Sequence, residues 1–182
     1  IHHFESNFSR PFGPDPDRPW RDKESEAPAG AFTALGVHMI DNLLYLGGDF
    51  EKVCALSTSF DKNTPLDDIT TVMIKFKSGA HGIINSSLRL PFVASLSVHG
   101  DLASCWSEED GIKFYTQKIN EEKRIAISVS PINGVVENLK NFCDCVRNSK
   151  RPETSGDEGA KVVRILEVIT ESNQSNNRFI KV

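Results

Sequence analysis

The sequence predicts an α+β fold: an open, mainly antiparallel β-sheet with helices packed on one face and the other face available for oligomerisation. Three observations predict it. Strand-like segments follow one another from Val53 to Val129, separated by short turns. Helix-like segments fall outside that run, which is the α+β pattern rather than the alternating one. The clearest strand pair, Asp68–Lys77 and Ala80–Leu90, is joined through Ser78-Gly79, and hairpin strands pair antiparallel.

The elements follow in order. Ile1 to Ser9 alternates in polarity and reads as a strand. Arg10 to Pro28 is rich in Pro, Asp and Gly, longer than most connections, and carries Trp20 beside Arg21. From Ala31 to Leu46 the spacing is helical, with Phe32, Leu35, Met39, Leu43 and Leu46 as the apolar stripe. Gly47-Gly48 then stops the helix. The opposite stripe holds Ala34, His38, Asp41 and Tyr45, spaced so that they share one face. Val53–Ser59 reads as a strand. In the next one, Val72, Ile74 and Phe76 point one way and Met73, Lys75 and Lys77 the other. Ala94–His99, Ala103–Ser107, Ile112–Gln117 and Arg124–Val129 continue the pattern, with turns at Gly100-Asp101 and Asp110-Gly111. Val135–Asn148 is amphipathic, with Val136, Leu139, Phe142, Cys143 and Val146 on one side. Gly159–Asn173 is helical, with Val162, Val163, Leu166 and Ile169 as its expected buried stripe. Arg178–Val182 is a short last strand.

At 182 residues the chain is long enough for one domain with a real core and short for two. Its net charge of −4 argues against nucleic-acid binding, which needs a clustered basic surface. No apolar run reaches bilayer length, so no membrane partner is expected. Cys54, Cys105, Cys143 and Cys145 are too scattered for a disulfide scaffold. Cys143 and Cys145 sit two apart on a helix and point to different sides, which makes a poor chelate. Reduced thiols and no metal are therefore expected, in a cytoplasmic setting. Asn-x-Ser triplets begin at Asn7, Asn85 and Asn173, but such short matches arise by chance.

No G-x-G-x-x-G fingerprint, P-loop or G-x-S-x-G elbow is present, so no residue of this chain is assigned to a cofactor. His38 is the leading candidate for chemistry, because an imidazole gives or takes a proton near neutral pH. Asp41, one turn on, could orient the ring or hold its charged form; the plainer reading is an ordinary surface pair. Arg10, Trp20 and Arg21 form a second group, since guanidinium forks suit anions and polyhydroxyl groups and an aromatic face suits a sugar ring. The plainer reading has Trp20 closing the loop over the core. His2 and His3 are adjacent on a strand and face opposite ways.

Several segments together resemble the C-terminal domain of the glucose–fructose oxidoreductase, inositol dehydrogenase and rhizopine-catabolism (Gfo/Idh/MocA) family. They are Phe4-Glu5-Ser6-Asn7, Trp20-Arg21, Gly30 leading into Gly36-Val37-His38-Met39-Ile40-Asp41, Tyr45-Leu46-Gly47-Gly48, Phe76 to Gly82, Val98-His99-Gly100-Asp101 and the ending from Glu167. The resemblance implies that residues 1–182 are one substrate and oligomerisation domain, with an N-terminal Rossmann domain outside this chain. It implies NAD or NADP held mainly by that domain, a sugar-like small molecule as substrate, and a homo-oligomer built through the sheet. His38 matches the histidine that takes the hydroxyl proton of the reacting carbinol. The family's aspartate one turn earlier falls on Ala34, which cannot accept a hydrogen bond or offset charge. A catalytically altered member acting as a binding or assembly module is the alternative that this departure favours.

Overall fold

A computed structural model describes residues 1–11, 17, 19–61 and 66–182, without the side chains of Arg21 and Asp22. Residues 12–16 and 18 of the expected Pro-rich loop lie outside the described residues.

Among the described residues, nine strands form one sheet in the order β8-β7-β6-β5-β1-β4-β3-β2-β9. They are β1 (His3–Ser9), β2 (Phe50–Thr58), β3 (Ile69–Phe76), β4 (His81–Ser87), β5 (Val93–His99), β6 (Ala103–Glu108), β7 (Lys113–Lys118), β8 (Ile125–Ile127) and β9 (Ile180–Lys181). The α-helices of the described residues are α1 (Val37–Gly47), α2 (Gly134–Asn148) and α3 (Gly156–Gln174). The architecture is α+β, as the grouping of segments predicts. β3 and β4 form the expected hairpin, closed by the Phe76 and Gly79 amides.

One pairing departs from the antiparallel default. β1 lies between β4 and β5, parallel to β4 and antiparallel to β5. Because β4 and β5 flank β1 instead of each other, their short connection crosses over the end of β1, and residues of that connection stand beside Phe8. This places the first strand at the centre of the sheet, where both edges are paired.

The core lies between α1, α3 and one face of β1–β4. Phe4, Phe50 and Phe76 form its aromatic centre: Phe76 lies 5.0 Å from both other rings, edge-on to Phe50. Val53, Val72, Ile74 and Ile84 project from the strands against Phe32, Ile40 and Leu43 from one side and Ile165, Val168 and Ile169 from the other. The inward alternation of Val72, Ile74 and Phe76 is as the sequence predicts. On the opposite face, Leu56 and Met73 stand exposed among Thr71, Asn85 and Asn7, and no helix covers them.

Several helical stripes are corrected. Leu46 is exposed, and Ile40 takes its place in the core. Within α1 the covered side runs through Ile40, Leu43 and Gly47, which leaves Leu46 at its edge. A π-helical turn, Phe32–Gly36, immediately precedes α1, and in it the Val37 amide donates to the Phe32 carbonyl five residues back. The extra residue shifts the three-four spacing between the residues before the turn and those of α1. The same slip means that the alignment of Ala34 with His38 no longer follows from an ideal helix. In α3, Val163 is exposed and the buried stripe is Val162, Ile165, Val168, Ile169 and Ser172. The apolar side of α2 is largely exposed, and only Cys145 of that helix is buried. All four cysteines are free thiols: Cys54 and Cys145 buried, Cys105 and Cys143 exposed.

Candidate functional site

His38 stands in the first turn of α1, exposed, above the C-terminal end of β1. Three contacts fix that position. The Ala31 amide donates to the Asp67 carbonyl (2.9 Å), anchoring the π turn that leads into α1. The buried Ser86 hydroxyl on β4 reaches the carbonyls of Phe8 (2.9 Å) and Ala31 (3.4 Å), tying the end of β1 to the start of the helix. The His38 ring itself lies against Phe8, with centroids 5.6 Å apart and planes tilted by 55°. Phe92, from the β4–β5 connection, meets Phe8 edge-on at 6.3 Å and is half exposed. The result is an aromatic wall with a solvent-facing imidazole at its top. A ring in that setting can exchange a proton with a hydroxyl group on a ligand lying along the wall.

No hydrogen bond links His38 to Asp41 among the described residues. Asp41 instead lines a cavity of about 240 Å³ with Asn42, Tyr45, Asp49, Glu153, Thr154, Glu158 and Lys161, where the C-terminal half of α1 meets the α2–α3 loop. Here the Tyr45 hydroxyl donates to Glu153 (2.7 Å). That bond, reinforced by the carboxylate charge, holds the phenol above its ordinary titration range. Asp49 accepts from Lys77 (3.1 Å) and Lys161 (3.2 Å), which hold its carboxyl below the usual carboxylate range. The face that the sequence assigns to one site thus serves two places, with His38 at one and Asp41 and Tyr45 at the other. Ala34 is half-buried just before the helix.

Arg10 follows β1 directly, exposed, its amide donating to the Ser87 carbonyl (3.0 Å). Trp20 lies in a short 3-10 turn, Pro19–Asp22, with about a third of its surface exposed. The Arg21 side chain lies outside the described residues. Buried Asp68 accepts from the Phe60 amide (3.2 Å) and the Asp61 amide (3.0 Å) and faces Arg89 Nε at 3.5 Å. Next to it, burial together with the nearby Asp68 and Glu24 pushes the Asp67 carboxyl up. Sequence reasoning misses Phe8, Phe92 and the Asp68–Arg89 pair. The alternation in β1 could have placed Phe8 on the helix side, whereas nothing in the pattern around Pro91 marks Phe92. No cluster of three or more metal-ligating side chains occurs among the described residues, and no helix of the described residues is long and apolar enough to cross a membrane.

Residues 1–105 match the profile described as the GFO/IDH/MocA C-terminal domain. Among curated proteins, a D-apiose dehydrogenase of Paraburkholderia graminis is 21% identical over 157 residues, covering 73% of this chain and 40% of the relative. Among solved structures, the aldose-aldose oxidoreductase of Caulobacter crescentus, complexed with glycerol, superposes with a TM-score of 0.88 at 20% identity, covering 100% of this chain and 56% of that one. Levoglucosan dehydrogenase in complex with NADH and levoglucosan gives a TM-score of 0.85 at 19% identity, covering 100% and 58%. At these identities the superpositions establish the fold, and the chain spans little more than half the length of the solved relatives.

Proposed function

Because the chain belongs to the GFO/IDH/MocA C-terminal domain family, we propose that it is the substrate-side domain of an NAD- or NADP-dependent oxidoreductase acting on a sugar, polyol or related secondary alcohol or carbonyl. The observation that carries this reading is the exposed His38 imidazole set on the Phe8–Phe92 wall, at the residue that the resemblance pairs with the family's histidine. The similarity to D-apiose dehydrogenase, levoglucosan dehydrogenase and aldose-aldose oxidoreductase supports a sugar-like substrate.

The residues present do not fit a complete dinucleotide site. No glycine-rich loop joins a strand to a helix N-terminus here, so this chain offers no cradle for a pyrophosphate. The dinucleotide is assigned to an N-terminal Rossmann domain, and the 182-residue fragment alone is inactive on this reading. What the chain contributes is a base. His38 would accept the proton of the substrate hydroxyl while the carbinol hydrogen leaves as hydride to the dinucleotide, and would return it to the carbonyl oxygen in the reverse direction. Arg10, Trp20 and Arg21 are the substrate contacts assigned to the loop on this reading, whereas Asp41, expected beside them, lines the separate cavity at the α2–α3 loop. The uncovered face bearing Leu56 and Met73 serves a homo-oligomer.

Ala34 favours a second reading, in which the chain is a catalytically altered member that binds or assembles without turnover, because the residue one turn before His38 carries no acid. Incubating the full-length protein with NAD or NADP and a panel of sugars and polyols, while following reduced cofactor by absorbance, separates the two. Turnover of any member supports the first reading. Cofactor binding without turnover on every substrate supports the second.

A further inference from the structure

We propose that the apolar stripe of α2 is the docking face for the dinucleotide-binding part of the same polypeptide, a partner that rests on the two-domain reading above. Val135, Leu139, Phe142 and Val146 recur at helical spacing along one side and are between 59% and 71% exposed. A stripe of that kind on a soluble protein marks an interface, since leaving it in water forfeits the burial that orders an amphipathic helix. No other described element packs along it.

The helix is nevertheless capped at both ends and tied to the domain beyond its C-terminus. The Asn133 side chain accepts from the Val136 amide at its N-terminus, and Ser149 closes it in a left-handed conformation. Beyond it, Lys150 pairs with Asp144 (3.2 Å), and Glu153 in the α2–α3 loop accepts from Tyr45 of α1. α2 is therefore tied to the domain through the loop that follows it and presents its apolar side outward. Glu137, Lys140, Asp144 and Arg147 on the same helix supply a charged border, the usual composition of an interface rim.

The solved relatives extend over chains of which this one spans 56–58%, so about two fifths of each lies outside the matched region. A body of that size can cover four helical turns at the extent typical of contacts between domains. On the proposed reading a second copy sits on the open sheet face, the one bearing Leu56 and Met73.

Hydrogen–deuterium exchange on the full-length protein tests this. Peptides spanning residues 135–146 are expected to exchange at least about 100-fold more slowly in the wild type than in the Leu139→Asp/Phe142→Asp variant. Peptides of β2–β4 should be equally protected in both. If they lose protection, the milder Phe142→Ala and Val146→Ser variants replace the charged pair, with the same loss expected in α2. The proposal is overturned if α2 exchanges as fast in the wild type as in the variants, or if its protection rises with protein concentration, which would place a second copy there. NADH binding to the wild type is read in parallel. A protein that binds no NADH fails the oxidoreductase reading, and one that binds it while α2 stays unprotected fails only the docking face.

Discussion

Gly47 and Gly48 read in the sequence as a single helix stop, and the structure divides them into two different jobs. Gly47 is still helical, and a Cβ there would sit 2.6 Å from Cε1 of Phe76, 2.9 Å from Cζ of Phe4 and 3.0 Å from Cε2 of Phe4. Both rings are fully buried and pressed against each other, so neither can swing aside. Gly47→Ala gains up to about 1 kcal/mol in helix propensity. It loses about 1–3 kcal/mol by overpacking the aromatic centre, and that loss decides the sign. Gly159→Ala, inside α3 with nothing within 4 Å of its Cβ, carries the gain alone. With roughly 2–4 °C per kcal/mol for a protein of this size, Gly159→Ala should raise the melting temperature by about 2–4 °C, and Gly47→Ala, with a net loss of up to about 2 kcal/mol, should lower it by up to about 8 °C. Gly48→Ala also has open space, but its φ of +80° is costly for an L-residue, so it too should melt lower. Thermal unfolding followed by tryptophan fluorescence measures all three. If Gly47→Ala raised the melting temperature as much as Gly159→Ala, the packing of α1 against Phe4 and Phe76 would be wrong.

The corrected stripe of α3 predicts that Ile169→Ala costs about 2–5 kcal/mol, whereas Val163→Ala on the same helix stays within about 0.5 kcal/mol; urea denaturation distinguishes them. Glu158 is held down to about 2 by the Ser155 side-chain hydroxyl first and the Ser155 amide second. A carboxyl lowered on folding contributes stability above its unfolded value, near 4.5, and loses it as the pH falls toward 2. Ser155→Ala should move the Glu158 midpoint upward in an NMR titration and shrink that acid-side loss; an unchanged midpoint would refute the capping box. Tyr45→Phe should leave His38 chemistry intact while loosening the α2–α3 loop, read as faster amide exchange around Glu153.

The fold was legible because its signals are local. The alternation from Val72 to Phe76, the Ser78-Gly79 turn and the stripes around Leu43 and Ile169 each depend on a few neighbouring residues. The position of β1 was not legible, since a strand's partners are chosen by the whole sheet and not by its own pattern. The π turn was hidden because Phe32–Gly36 carries helical spacing that a single inserted residue then displaces. Val163 and Leu46 were misassigned for a related reason: a stripe drawn at ideal spacing does not know where the covering sheet ends. His38 was found from its chemistry, yet its surroundings were not. Phe8 reaches it from another element, Phe92 comes from a connection without periodicity, and Asp41, adjacent on the helix, belongs to a different cavity.

The most direct test of the proposed function is the steady-state rate of the full-length enzyme with His38 replaced. On the best substrate found, His38→Ala should lower kcat/KM by about 10²–10⁴-fold, with cofactor affinity unchanged because the dinucleotide is held elsewhere. A variant that turns over as fast as the wild type would contradict the assignment of His38 as the proton acceptor.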